Sequence, residues 1–223
     1  MPDGQYSFYL HSDDRTDIAA MATISTISQP LRGEFIRTAA TAGAVVYQVD
    51  ARLPALIPVF FAGQLSAVRL CAVMALVSGT WSSLTGLPDE PENGEAALPV
   101  SPETEYQRRR YTLTLQNGRS GERVESVLTE ASSRLRGDLL RNLIITGLAL
   151  HTTAPELPRL LASMPVPPTS VSELLALVQQ MAGTADVNRA AAAVPDTPAA
   201  SAAPVSGSDT REIKKNMRRA FGD

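Results

Sequence analysis

From Arg110 to Leu115 polar and apolar residues alternate, with Arg110, Thr112 and Thr114 on one side and Tyr111, Leu113 and Leu115 on the other. A period of two predicts a half-buried strand with one polar face. Asn117-Gly118 breaks it. From Ser120, read as an N-cap with Glu122 in the first turn, Val124, Val127, Leu128, Ala131 and Leu135 recur at helical spacing until Gly137. A second helix is expected from about Asp138, where Leu139, Leu140, Leu143, Ile144, Leu148 and Leu150 cover most of its surface. One strand and two helices cannot bury this much apolar surface alone, so the unit requires a second copy, in another chain or in the same one.

The second copy lies earlier in the chain. Leu31-Arg32-Gly33 matches Leu135-Arg136-Gly137, Arg37 matches Arg141, Gly43 matches Gly147 and Leu53-Pro54 matches Leu157-Pro158, all at one offset of 104 residues. Phe35/Leu139, Ile36/Leu140, Ala40/Ile144, Ala44/Leu148, Leu56/Leu160 and Ile57/Leu161 keep the apolar pattern in step. With one residue of slippage in the loop, Tyr6, Phe8 and Leu10 take the places of Tyr111, Leu113 and Leu115, and Gln5, Ser7 and Tyr9 take the outward places of Arg110, Thr112 and Thr114. Asp13 or Asp14 is expected to cap a helix running to about Ser28, with Gln29-Pro30 and Gly33 separating it from the next. Leu53-Pro54 opens further helices to Val77, and Glu156–Ala162 with Ser170–Met181 repeat that pair. The chain is therefore read as mainly α, with units at residues 1–78 and 106–183 that pair their strands into a two-stranded antiparallel ribbon, an intramolecular pseudo-dimer.

The remaining segments have other compositions. Residues 79–105 are acidic, Pro-rich and aperiodic, the character of a linker. Residues 184–208 are Ala, Pro and Ser with almost no large apolar side chain, which predicts a disordered tether. In residues 209–223 Ile213, Met217, Ala220 and Phe221 fall on one helical face, surrounded by Lys214, Lys215, Arg218 and Arg219. A helix this short is unstable alone in water, so the segment is read as one that folds on a partner through Ile213, Met217 and Phe221. Attraction to nucleic acid or to an acidic membrane is the alternative for such a basic tail.

Charge changes the picture only when it is located. The net charge is -3, which by itself argues against a nucleic-acid binder. Between Tyr106 and Arg141, however, arginines 108, 109, 110, 119, 123, 134, 136 and 141 face only four acids, at 122, 125, 130 and 138. Candidate catalytic chemistry is thin. The lone Cys71 excludes an internal disulfide, and His11 and His151 have no ligand neighbours at metal spacing. With no phosphate loop and no nucleophile elbow, neither an enzyme nor a cofactor is expected. Ala55–Val77 is strongly apolar but interrupted by Pro58, Gly63, Gln64 and Arg69, so it reads as two packed helices rather than a membrane span, and the acidic start lacks a leader's apolar core. The cytoplasm is the expected location.

The strand followed by two helices resembles the ribbon-helix-helix DNA-binding fold. More narrowly, RRYTLTLQ, RLRGDLLRNLIITGLAL, the APELPRLL turn and the closing REIKKNMRRAF resemble the ParR/StbB family of plasmid-segregation adaptors. That resemblance implies a centromere adaptor linking repeated plasmid DNA sites to a ParM-type, actin-like ATPase filament and assembling with further copies, with any ATP hydrolysis belonging to the filament. It implies DNA contacts from Arg108, Arg109, Arg110, Thr112, Thr114, Gln5, Ser7 and Tyr9, and phosphate contacts from the amides near Gly33-Glu34 and Gly137-Asp138 with Arg32, Arg37, Arg136 and Arg141. The filament contacts would be Ile213, Lys214, Lys215, Met217, Arg218 and Phe221. A ribbon-helix-helix transcriptional repressor or a relaxosome accessory protein of conjugation is the competing reading.

Overall fold

The computed structural model describes residues 4–80 and 108–192. Residues 81–107 (nearly all of the 79–105 linker), most of the tether and the whole 209–223 segment lie outside them, and with that segment Ile213, Lys214, Lys215, Met217, Arg218 and Phe221. The fold is mainly helical with one two-stranded antiparallel sheet. The first copy runs β1 (Gln5–His11), α1 (Arg15–Ser25), α2 (Gln29–Val49), α3 (Leu53–Phe60) and α4 (Ala67–Ser78); the second runs β2 (Arg108–Thr114), α5 (Arg119–Glu130), α6 (Arg136–Thr153), α7 (Leu157–Ser163) and α8 (Val171–Ala192). A single compact unit extends to Ala185.

Local chemistry explains most boundaries. Asp14 caps α1 by accepting the amide of Asp17 at 2.9 Å, so the second of the two candidate aspartates takes the role. Pro30, Pro54 and Pro158 sit in the first turns of α2, α3 and α7, where proline's missing N–H costs nothing. Gly79 closes α4 in the left-handed region at φ 74°.

Several boundaries differ from the sequence reading: α1 ends at Ser25 rather than about Ser28, α5 ends at Glu130 rather than near Gly137, and α6 already begins at Arg136. Helix α5 begins at Arg119 behind Gly118, whose φ of 136° only glycine adopts readily. Ser120 is thus not the cap; it lies inside the helix and donates to the Ala162 carbonyl at 3.2 Å. Helix α2 begins at Gln29, because Pro30 fits a first turn, so Gly33 and Glu34 are interior and their amides are used within the helix. Helix α8 does not stop near Met181 but continues to Ala192, beyond the 184 boundary expected for a disordered tether. The added stretch is rich in alanine, the strongest helix former, and ends ahead of Pro195.

The core joins the two copies. β1 and β2 pair from Gln5 opposite Thr114 to His11 opposite Arg108. Beneath them α2 and α6 cross at their glycines: a β-carbon on Gly43 would overlap the Leu143 carbonyl, and one on Gly147 the Ala39 carbonyl. Gly43/Gly147 and Ala39/Leu143 both obey the 104-residue offset. The third helices exchange, α3 packing on α6 and α7 on α2. Thr153 Oγ1 donates to the Leu65 carbonyl at 2.8 Å, and the Leu65 amide to Thr152 Oγ1 at 3.3 Å, tying the end of α6 to the α3–α4 connection. The Thr16 hydroxyl donates to Pro58 O at 3.1 Å, the counterpart of Ser120 to Ala162.

Candidate nucleic-acid interface

Alternation in the strands sorts their side chains onto two faces. Phe8, Leu10, Leu113 and Leu115 are buried on the inner face, where Phe8 stacks on Tyr111 with ring centroids 5.2 Å apart. Outward lie Gln5, Ser7, Tyr9 and His11 opposite Thr114, Thr112, Arg110 and Arg108. Gln5, Arg108, Arg110, Thr112 and Thr114 are exposed, Ser7 and Tyr9 half-buried. Among the described residues none of these outward side chains is buried, so the face is a polar two-stranded ribbon.

Its cations are held in place. Arg110 donates from Nε and Nη2 to Ser7 Oγ at 3.2 and 2.9 Å across the ribbon. The Arg108 guanidinium stacks over the Tyr9 ring, 3.5 Å from its centroid. Arg109 has the parity of the inner face, yet it is exposed at the strand end and lies 5.3 Å from the Tyr111 ring. Burial pushes the Tyr111 hydroxyl's pKa up, against the pull of Arg109 and Arg32.

The helix-start arginines split into three kinds. Arg32 Nε donates to the Ile27 carbonyl at 2.8 Å and Arg136 Nε to the Ala131 carbonyl at 3.2 Å, so each ties its helix start to the preceding turn in the same way. Arg37 pairs with exposed Glu34 at 2.7 Å. Arg141 reaches back to buried Asp17 at 2.6 Å and to Asp14 at 3.2 Å. Arg141 is consequently bound to two carboxylates and does not stand ready at a helix start. Sequence reasoning saw Asp14 only as a cap and missed Asp17. The available signal was comparison of the copies, since the offset places Gly118 and Gly121 where the first copy has Asp14 and Asp17. Burial raises the Asp17 carboxyl's pKa, opposed by the His11 amide and Arg141. Helix α6 begins at Arg136, so the amides of Arg136, Gly137 and Asp138 are free of intrahelical partners. Gly137 packs on β1, where a β-carbon would sit 3.5 Å from the Ser7 carbonyl.

Away from the ribbon, a cavity of about 770 Å³ opens between α2, the β2–α5 turn and α7, lined in part by Arg37, Arg119, Gly121, His151 and Arg159. His151 packs edge-on against Phe35 at 5.0 Å and its Nδ1 lies 3.1 Å from the Pro155 carbonyl. Among the described residues no group of three or more His, Cys, Asp or Glu could hold a metal ion, and no helix is long and apolar enough to cross a membrane.

Two stretches of the chain, residues 4–74 and 109–178, match the family described as plasmid stability protein. The chain belongs to this family. It is StbB-like and carries the family unit twice, which gives it a role in plasmid maintenance. The matched regions start 105 residues apart and end 104 apart, the same one-residue slip between strand and helices that relates the copies. No curated protein and no solved structure matched the chain.

Proposed function

We propose that this plasmid stability protein binds double-stranded DNA as a single-chain ribbon-helix-helix pseudo-dimer, the paired strands entering the major groove. The observation that carries the reading is the antiparallel ribbon, whose outer face presents polar and cationic side chains: Gln5, Ser7, Tyr9, His11, Arg108, Arg110, Thr112 and Thr114. A two-stranded ribbon fits a groove about 12 Å wide, and these side chains are the types that read base edges there. The free amides at the start of α6 suit a phosphate, with Arg136 beside them. Arg32, at the matching place on α2, supports a weaker second contact.

In the wider mechanism, chains on repeated plasmid sites would offer their basic tails to an actin-like ATPase filament, gaining avidity from many tethered copies. Ile213, Met217 and Phe221 supply the apolar row of that tail and Lys214, Lys215 and Arg218 its charge. The protein would act in the bacterial cytoplasm as an adaptor without chemistry of its own.

DNA affinity measured by fluorescence anisotropy, on duplexes from the host replicon's own locus, tests the first part. Affinity should fall steeply with salt, and Arg110→Ala should weaken the specific site by about 1–3 kcal/mol while leaving random duplex nearly unchanged. Equal losses on both duplexes would remove Arg110 from base reading. For the second part, DNA should co-sediment with the filament in ATP only when the chain extends past Ser208; DNA binding without filament capture would favour a repressor or relaxosome accessory.

A further inference from the structure

The ribbon has two unlike ends. Residues of the two strands correspond at an offset of 105, and Ser7 faces Thr112, which differ by that offset, so this pair marks the ribbon's midpoint. About that midpoint Arg110 corresponds to Gln5 and Thr114 to Tyr9. A dimer of identical chains would place the same residue at both positions of each pair; this chain does not. Toward one end Tyr9 faces Arg110 and His11 faces Arg108, with Arg108 stacked on Tyr9. Toward the other, Gln5 faces Thr114.

We propose that the protein reads an oriented, non-palindromic DNA site, guanine-bearing beneath Arg110 and adenine-bearing beneath Gln5. The inference rests on the ribbon being the DNA-reading surface. A guanidinium donates in pairs to guanine O6 and N7, whereas a glutamine amide matches adenine N6 and N7, so exchanging Arg for Gln changes which base the half-site prefers. Ser7 fixes the Arg110 guanidinium at the midpoint of the ribbon, and no arginine stands at the corresponding place on β1 to do the same for the other half. The supports differ as well, with Arg141 locked to Asp14 and Asp17 while Arg37 pairs with Glu34. A single chain therefore gives its site a direction. Chains bound to repeats of one orientation all face the same way.

The test is selection of sites from random duplexes with the full chain, followed by affinities for the selected site and for the two palindromes built from its halves. The expected result is an asymmetric motif, with each palindrome bound roughly tenfold or more weakly, the loss of one matched bidentate contact. Arg110→Gln should shift selection toward a site with adenine in both halves. The triple variant Gln5→Arg, Ser7→Thr, Tyr9→Thr should shift it toward the palindrome built from the guanine-bearing half. Circular dichroism confirms that each variant is folded, and Arg110→Gln, on an exposed side chain, decides the matter if the triple variant is not. A palindromic motif from the native chain, or unchanged selection by folded Arg110→Gln, overturns the oriented site and leaves DNA binding standing. Absence of any sequence-selective binding sinks the DNA-reading surface itself.

Discussion

Arg37 and Arg141 occupy the same place in the two copies and have opposite surroundings. The Arg141 partner Asp17 is fully buried, whereas the Arg37 partner Glu34 is 64% exposed. The difference traces to two substitutions, Asp14 and Asp17 giving way to Gly118 and Gly121. The second is enforced, because a β-carbon on Gly121 would overlap the Gln116 carbonyl. Removing one partner of a buried pair strands the other charge, so Arg141→Ala should cost about 3–5 kcal/mol in denaturant unfolding. Arg37→Ala, which breaks only a screened surface pair, should cost no more than about 1 kcal/mol. Equal costs would mean that Asp17 is not the stranded charge. Asp17 also sets a pH dependence. Its pKa is raised in the folded protein, so its contribution to stability is fully present below the unfolded value, about 4, and is lost as pH rises through the folded value. The thermal midpoint of the native chain relative to Asp17→Asn should therefore improve between pH 7 and pH 4. A change in the opposite direction would show that the Arg141 attraction outweighs burial.

Where α2 and α6 cross, the backbones touch, and only hydrogen fits at Gly43 and Gly147. Either glycine changed to alanine drives a methyl into a carbonyl of the facing helix, beyond the reach of a side-chain rotation. Overpacking of this kind costs about 1–3 kcal/mol and more when backbone must move, so each variant should unfold at clearly lower denaturant than Gly137→Ala, whose β-carbon meets its nearest neighbour at 3.5 Å. Both crossing glycines were visible in the sequence as members of the repeat, and so were the strand faces and the helix opened by Leu53-Pro54, because pattern and repeat offset alone dictate them, whereas Gln29-Pro30 was read as a break and proved to be the first turn of α2. What stayed hidden depends on the partner segment or on a close balance of local preferences. The Arg141 carboxylates come from α1 and its cap, more than a hundred residues away in the chain. Ser120 is a better cap than Gly118 by composition, but the turn after β2 demands a positive φ that serine resists. The length of α8 was misjudged because alanine buries little and so carries no periodic signal, though it sustains a helix well.

At the scale of the whole molecule, the exchange of third helices decides what counts as a folding unit. α3 covers α6 and α7 covers α2, the strands pair only with each other, and the buried residues form one continuous cluster from Phe8 to Val178. Neither copy can bury Phe8, Ile57, Leu113 or Leu161 by itself, so the linker acts by raising the effective concentration of one copy around the other. Cutting the chain between Asn93 and Gly94 leaves each of the elements β1–α8 uncut and removes that effect. Residues 1–93 and 94–223 should each fail to give a folded monomer, by circular dichroism and sedimentation, yet combine one to one when mixed. The mixture should unfold at a midpoint that rises with concentration, while that of the uncut chain stays fixed. A fragment that folds alone as a stable monomer would contradict the shared core, and with it the account of why the repeat is carried in one chain.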